Sequence, residues 1–136
     1  MRQALLARDR PRLLGILAAL TLIGGCTGMT PDLPRLRITN GGTVLASKLT
    51  VQFPMDQIEF GDIRPGLTTA YQPVPNGVYR YAAYRLEING QMVAQPVIDW
   101  VGEQPMDGSA FTYTIAVDPR RPPFQVVQLI AVTKDE

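Results

Sequence analysis

From Arg35 onward, apolar and polar residues alternate in short runs that turn-forming residues interrupt every few positions. No other feature of the chain constrains its fold as strongly. A period of two fits a strand with one face in a core and the other toward water. Leu36 and Ile38 alternate with Arg35, Arg37 and Thr39, and Leu49, Val51 and Phe53 with Lys48, Thr50 and Gln52. Tyr84, Leu86 and Ile88 alternate with Arg85, Glu87 and Asn89, and Phe111, Tyr113, Ile115 and Val117 with Thr112, Thr114 and Ala116. The stretch Phe124 to Val132 is almost continuously apolar, which predicts a central strand buried more deeply.

The interruptions read as hairpins and loops. Asn89-Gly90 separates two such runs, and both residues tolerate the positive φ of a type I′ turn. Asn40-Gly41-Gly42 and Asn76-Gly77 carry similar signals, and Pro65-Gly66 suits a type II turn. The proline-rich run from Asp118 to Pro123 cannot continue a ladder. Tyr79 and Tyr81 share one parity while Tyr84, Leu86 and Ile88 have the other. That predicts a bulge near Ala82-Ala83 or a strand that changes sheets. Seven or eight short strands with no helix among them predict an all-β fold: a small two-sheet antiparallel β-sandwich of immunoglobulin or fibronectin type. A small β-barrel is the alternative.

The first 26 residues follow a different pattern. Arg2, Arg8, Arg10 and Arg12 precede an apolar run from Leu13 to Ile23, which ends in Gly24, Gly25 and Cys26. A basic start, a short apolar core and a small-residue exit make a secretory signal, and the run is about half the ~20 residues that span a bilayer. Ile23-Gly24-Gly25-Cys26 resembles the lipobox of bacterial lipoproteins. The resemblance implies that residues 1–25 are a signal peptide removed on maturation and that Cys26 carries a diacylglyceryl group on its sulfur. In many Gram-negative bacteria the new amino group is acylated too, and two or more acyl chains anchor stably where one is marginal. Thr27 stands where aspartate would favour inner-membrane retention, so the outer membrane, facing the periplasm, is favoured over the inner. The plainer alternative is an ordinary secreted protein with Cys26 as a spare thiol.

Residues 26–34 read as a flexible tether, polar and with two prolines. Thr27 to Pro34 spans at most ~28 Å at ~3.5 Å per residue, so a sandwich over residues 35–136 is held near the lipid surface. The layout Phe60-Gly61, Pro65-Gly66, Tyr71 and Tyr79-Arg80-Tyr81 resembles that of uncharacterised bacterial surface β-sandwich domains.

Charge and residue inventory then narrow the function. Loss of residues 1–25 leaves nine basic and eleven acidic residues, too little positive charge for a nucleic-acid binder and no basis for electrostatic attachment to anionic lipid. The chain has no histidine, the commonest general base near neutral pH, and its one cysteine is assigned to lipid. Ser47 and Lys48 are adjacent and so face opposite ways on a strand. Asp99 and Glu103 flank Trp100 and could form a glycosidase-like carboxylate pair, although a turn with Trp100 packed on the sandwich edge is the simpler reading. Asp56, Glu59 and Asp62 could hold calcium but lack the dense spacing of a dedicated loop, and a solvated acidic face accounts for them.

Tyr71, Tyr79, Tyr81, Tyr84 and Trp100 could stack on sugar rings or a partner peptide, or could simply pack in and around a β core. Arg120 and Arg121 lie in a loop of the kind that makes contacts. The sequence therefore predicts a non-enzymatic, membrane-anchored envelope lipoprotein without cofactor or metal, serving as an accessory or interaction module. It contacts the membrane through lipid on Cys26 and an envelope protein partner through Tyr79, Tyr81, Trp100, Arg120 and Arg121. The alternative is a carbohydrate- or cell-wall-binding module that uses exposed aromatics on a glycan.

Overall fold

The computed structural model describes residues 32–97 and 99–135. The expected export signal, Cys26 and most of the expected tether lie outside the described residues. Pro31–Glu136 forms one compact unit, whose first strand begins at Arg35.

Among the described residues, eight strands form two four-stranded sheets. They are β1 (Arg35–Asn40), β2 (Ala46–Gln52), β3 (Gln57–Ile63), β4 (Gln72–Pro73), β5 (Ala83–Ile88), β6 (Gln91–Gln95), β7 (Ala110–Val117) and β8 (Val127–Lys134). One sheet has the order β4-β1-β7-β8 and the other β3-β2-β5-β6. The fold is thus a small β-sandwich and not a closed barrel. Its strand order has its own logic. In immunoglobulin constant domains the second and third strands lie in different sheets, whereas β2 and β3 here are a hairpin in one sheet, closed by Phe53 N–H donating to Asp56 O at 2.8 Å. All strand pairs are antiparallel except β1 and β7, which run parallel from Arg35↔Ala110 to Asn40↔Ile115.

The alternating residues fill the space between the sheets. Leu36 and Ile38 from β1, Leu49 and Val51 from β2, Leu86 from β5 and Tyr113 and Ile115 from β7 are all fully buried. Burying apolar side chains of this size contributes about 1.5–3 kcal/mol each. Two turns adopt the geometry their residues favour. Asn89 and Gly90 both have positive φ, 51° and 80°, in the β5–β6 hairpin. Gly66 has φ 82° after Pro65, and Leu67 N–H donates to Arg64 O across that turn at 3.1 Å.

Two expectations fail. The apolar stretch at the end of the chain is not a central strand. Phe124 lies in a 3-10 turn over Pro123–Gln125, and β8 is the edge strand beside β7, with Ile130 57% exposed. The central place belongs to β7, which has β1 on one side and β8 on the other. The apolar run is continuous because β8 carries a register shift opposite Thr114/Ile115: an irregular ladder breaks the strict alternation of faces. Likewise no bulge or sheet change reconciles Tyr79 and Tyr81 with β5. The strand starts at Ala83, and the backbone before it bonds elsewhere, with Val78 O accepting from Met106 N–H at 2.8 Å.

At the end where β1 finishes, Asn40 joins the two sheets. Its residue exposure is 0%. The side-chain amide donates to Val44 O and to Ile63 O, each at 2.8 Å, and its oxygen accepts from Gly42 N–H at 3.0 Å. Its backbone is also paired, with Asn40 N–H donating to Leu67 O and Gly66 N–H to Asn40 O.

Candidate functional site

The opposite region, where β2 ends, β5 begins and β6 ends, carries an open groove of about 330 Å³ lined by Gln52, Ala83, Tyr84, Arg85, Gln95 and Trp100, among others. Proline at 96 ends β6, because it has no N–H for the ladder. The chain then enters a loop that brings Trp100 back to the groove wall. Asp99 shapes this loop by accepting from Val101 N–H at 2.8 Å, and Glu103 N–H donates to Trp100 O at 2.9 Å.

Polar pairing is uneven here. Gln95 is engaged on both ends of its amide: it donates to Val127 O at 2.9 Å and accepts from Val127 N–H at 2.7 Å, so one side chain occupies the edge of β8. By contrast, the Tyr84 hydroxyl and the Trp100 indole N–H are buried without a hydrogen-bond partner. Burial pushes the Tyr84 phenol well above its ordinary pKa, so it stays protonated. Leaving such a group unpaired costs about 1–3 kcal/mol. Arg85 is exposed, and among the described residues no carboxylate pairs with its guanidinium.

The aromatics named from sequence are dispersed. Tyr79 packs on Phe53 with ring centroids 5.9 Å apart, and its carbonyl accepts the hydroxyl of buried Tyr113. Tyr81 is 36% exposed and donates to Glu103 at 2.6 Å. That bond to Glu103 holds its phenol above the usual range. Tyr84 lies in the core. Tyr71 sits against the guanidinium groups of Arg35 and Arg37, 4.9 and 4.7 Å from its ring centre. Its hydroxyl donates to Asp135 at 2.8 Å, beside Arg37 donating to Thr112 at 2.9 Å. Only Trp100 and Tyr84 share the groove.

The charged candidates pair locally. Arg120 donates twice to Asp118, at 3.0 and 3.2 Å, and this guanidinium holds the Asp118 carboxyl below its ordinary value. Arg121 stands 3.7 Å from the same carboxylate, and the Gln128 oxygen, with the amide turned toward it, accepts from Arg121 at 2.8–2.9 Å. Asp99 and Glu103 have different partners, Val101 N–H and Tyr81. Asp56 accepts from Asn76, and Asp62 from Lys48 N–H, while the Lys48 ammonium pairs with Glu87 at 2.8 Å. Among the described residues no group of three metal-ligating side chains gathers.

Sequence reasoning missed Gln52, Arg85 and Gln95. Gln52 and Gln95 showed only as polar strand ends and Arg85 only as an outward residue of an alternating strand, signals that an ordinary solvated sheet also gives. No family model matches the chain, and neither the curated proteins nor the solved structures contain a match to it.

Proposed function

We propose that this chain is a lipid-anchored envelope protein whose sandwich is a non-enzymatic interaction module. The observation that carries the reading is the order of parts along the chain. A basic start and an apolar run lead into Ile23-Gly24-Gly25-Cys26, and only eight residues separate Cys26 from the start of β1. Acyl chains on that cysteine hold a folded domain at a bilayer without a spanning segment. The test is metabolic labelling with a palmitate analogue, comparing the wild type with Cys26→Ser. The wild type takes up label and fractionates with membranes, and C26S does neither. A wild type that stays unlabelled and soluble overturns the proposal.

A second reading, a module that binds the cell wall or its glycans, is favoured by one observation: the half-buried Trp100 lines an open groove. Indole faces stack on the apolar faces of sugar rings, and pockets of this kind combine apolar walls with a few polar groups that fix orientation. A peptidoglycan pull-down with the full chain, against Trp100→Ala, tests it; loss of retention in the variant supports the reading and equal retention defeats it.

A further inference from the structure

We propose that the end of the sandwich at which β1 begins rests on the bilayer, with the loop tips that carry Met55 and Val101 dipping into the lipid interface. The inference rests on the lipid-anchor reading above and adds a second contact to it. Three loops meet at that end. Val74 N–H donates to Pro34 O at 2.7 Å and Arg35 N–H to Ser109 O at 3.0 Å, so segments 74–82 and 99–109 flank the entry of β1. The turn between β2 and β3 joins them through Asp56, which accepts from the Asn76 N–H and side-chain amide at 2.9 and 3.1 Å. Met106 N–H donates to Val78 O at 2.8 Å, and the Tyr81 hydroxyl donates to Glu103. The loops brace one another and hold their tips in place.

The tips are apolar. Val101 is 87% exposed and Met55 74%, the two highest values among the large hydrophobic residues described. Leu33, just before Pro34, and Tyr81 are exposed at the same end. Val101 sits in a tight turn closed by Glu103 N–H donating to Trp100 O, with Gly102 at φ 83°, and such a turn does not demand an apolar side chain there. Exposed apolar groups gathered at one place mark a protein or membrane contact, and tyrosine is favoured where lipid meets water. The tether decides between the two. Eight residues separate Cys26 from Arg35, at most ~28 Å when extended, and they enter at this end. A tether this short favours these loops over the end marked by Asn40, which lies a β1 length away, about 20 Å at ~3.3 Å per residue. Apolar groups that reach the boundary of headgroups and acyl chains add to an anchor, and stable attachment takes more than one such signal. Three carboxylates on these loops already accept from the loops' own donors, Asp56 from Asn76, Asp99 from Val101 N–H and Glu103 from Tyr81, which offsets part of their loss of water.

Trp100, the chain's single tryptophan, adjoins Val101, so its fluorescence reports the contact. The full chain, carrying the palmitate label, is placed in phosphatidylcholine vesicles, either plain or brominated near the headgroup end of the acyl chains. The wild type is compared with Met55→Asp combined with Val101→Asp, and with Leu67→Asp. Leu67 is also exposed but lies at the opposite end, where its carbonyl accepts from Asn40 N–H. Brominated lipid is expected to quench Trp100 in the wild type and in L67D. Most of that quenching is lost in M55D/V101D, which still carries label and stays with the vesicles. A labelled wild type whose Trp100 is quenched no more by brominated than by plain lipid overturns this inference alone and leaves the anchor standing. Full quenching retained in M55D/V101D does the same. Self-association of the labelled chain that M55D/V101D abolishes, without quenching, also overturns it and assigns the tips to a second copy. An unlabelled, soluble wild type overturns the anchor and this inference together.

Discussion

Asn40 and the pair Tyr84–Trp100 are the buried polar features of two regions of one sandwich, and they are treated in opposite ways. Every side-chain polar atom of Asn40 has a partner, two in the loop that follows β1 and one at the end of β3 in the other sheet. Around Tyr84 and Trp100, two polar atoms have none. A fully satisfied buried group fixes local structure, whereas an unsatisfied one lowers stability. The difference separates the polarity this domain commits to its own fold from the polar atoms it leaves unpaired in its interior.

The comparison breaks most visibly at Asn40. Asn40→Ala takes the Asn40 partner from two carbonyls and an amide at a buried position and is expected to destabilise by about 3 kcal/mol, read as a lower urea midpoint at unchanged slope. A loss under about 1 kcal/mol would show that water reaches those groups.

The two buried tyrosines sharpen the contrast. Tyr113→Phe strips the Tyr79 carbonyl of its donor and is expected to cost about 1–2 kcal/mol. Tyr84→Phe removes an orphan and is expected to be neutral or stabilising by up to about 1 kcal/mol. The same pair sets the alkaline limit. Burial pushes both phenols up, whereas in the unfolded chain they ionise near ~10. Unfolding therefore releases protons above that pH. The stability they contribute is complete below the unfolded value and falls as pH rises, by up to about 1.36 kcal/mol per pH unit for each phenol. Midpoints measured between neutral and alkaline pH should fall less steeply in Y84F.

The smallest effect is expected at Arg120, whose ion pair with Asp118 is solvent-exposed. Arg120→Ala should leave the melting temperature unchanged at moderate salt, since screened surface pairs contribute little.

Local pattern made much of the fold legible. Leu36, Ile38, Leu86 and Ile115 announced their burial by alternation, and Asn89-Gly90 announced its hairpin. What stayed hidden depends on pairing between distant segments. Nothing near Arg35 says that β1 pairs parallel with Ala110–Ile115. The apolar composition of β8 resembled that of a central strand, because edge or centre is decided by neighbours and not by the strand itself. Asn40 looked like a plain turn residue before two glycines, and only tertiary contact with Ile63 makes it a bridge. Of the groove, Trp100 was visible as a lone indole. Arg85 was not, because an outward arginine on an alternating strand is what solvent alone would select.

The parallel pairing of β1 with β7 also bears on when the molecule can form. β1 has only the two-residue β4 as its other neighbour, so its ladder waits for a segment 75 positions further along, as Arg35↔Ala110 marks. Such distant closure slows folding. A chain emerging amino end first can bond one edge of β1 to β4 early but completes its long ladder only once Ala110–Ile115 has appeared.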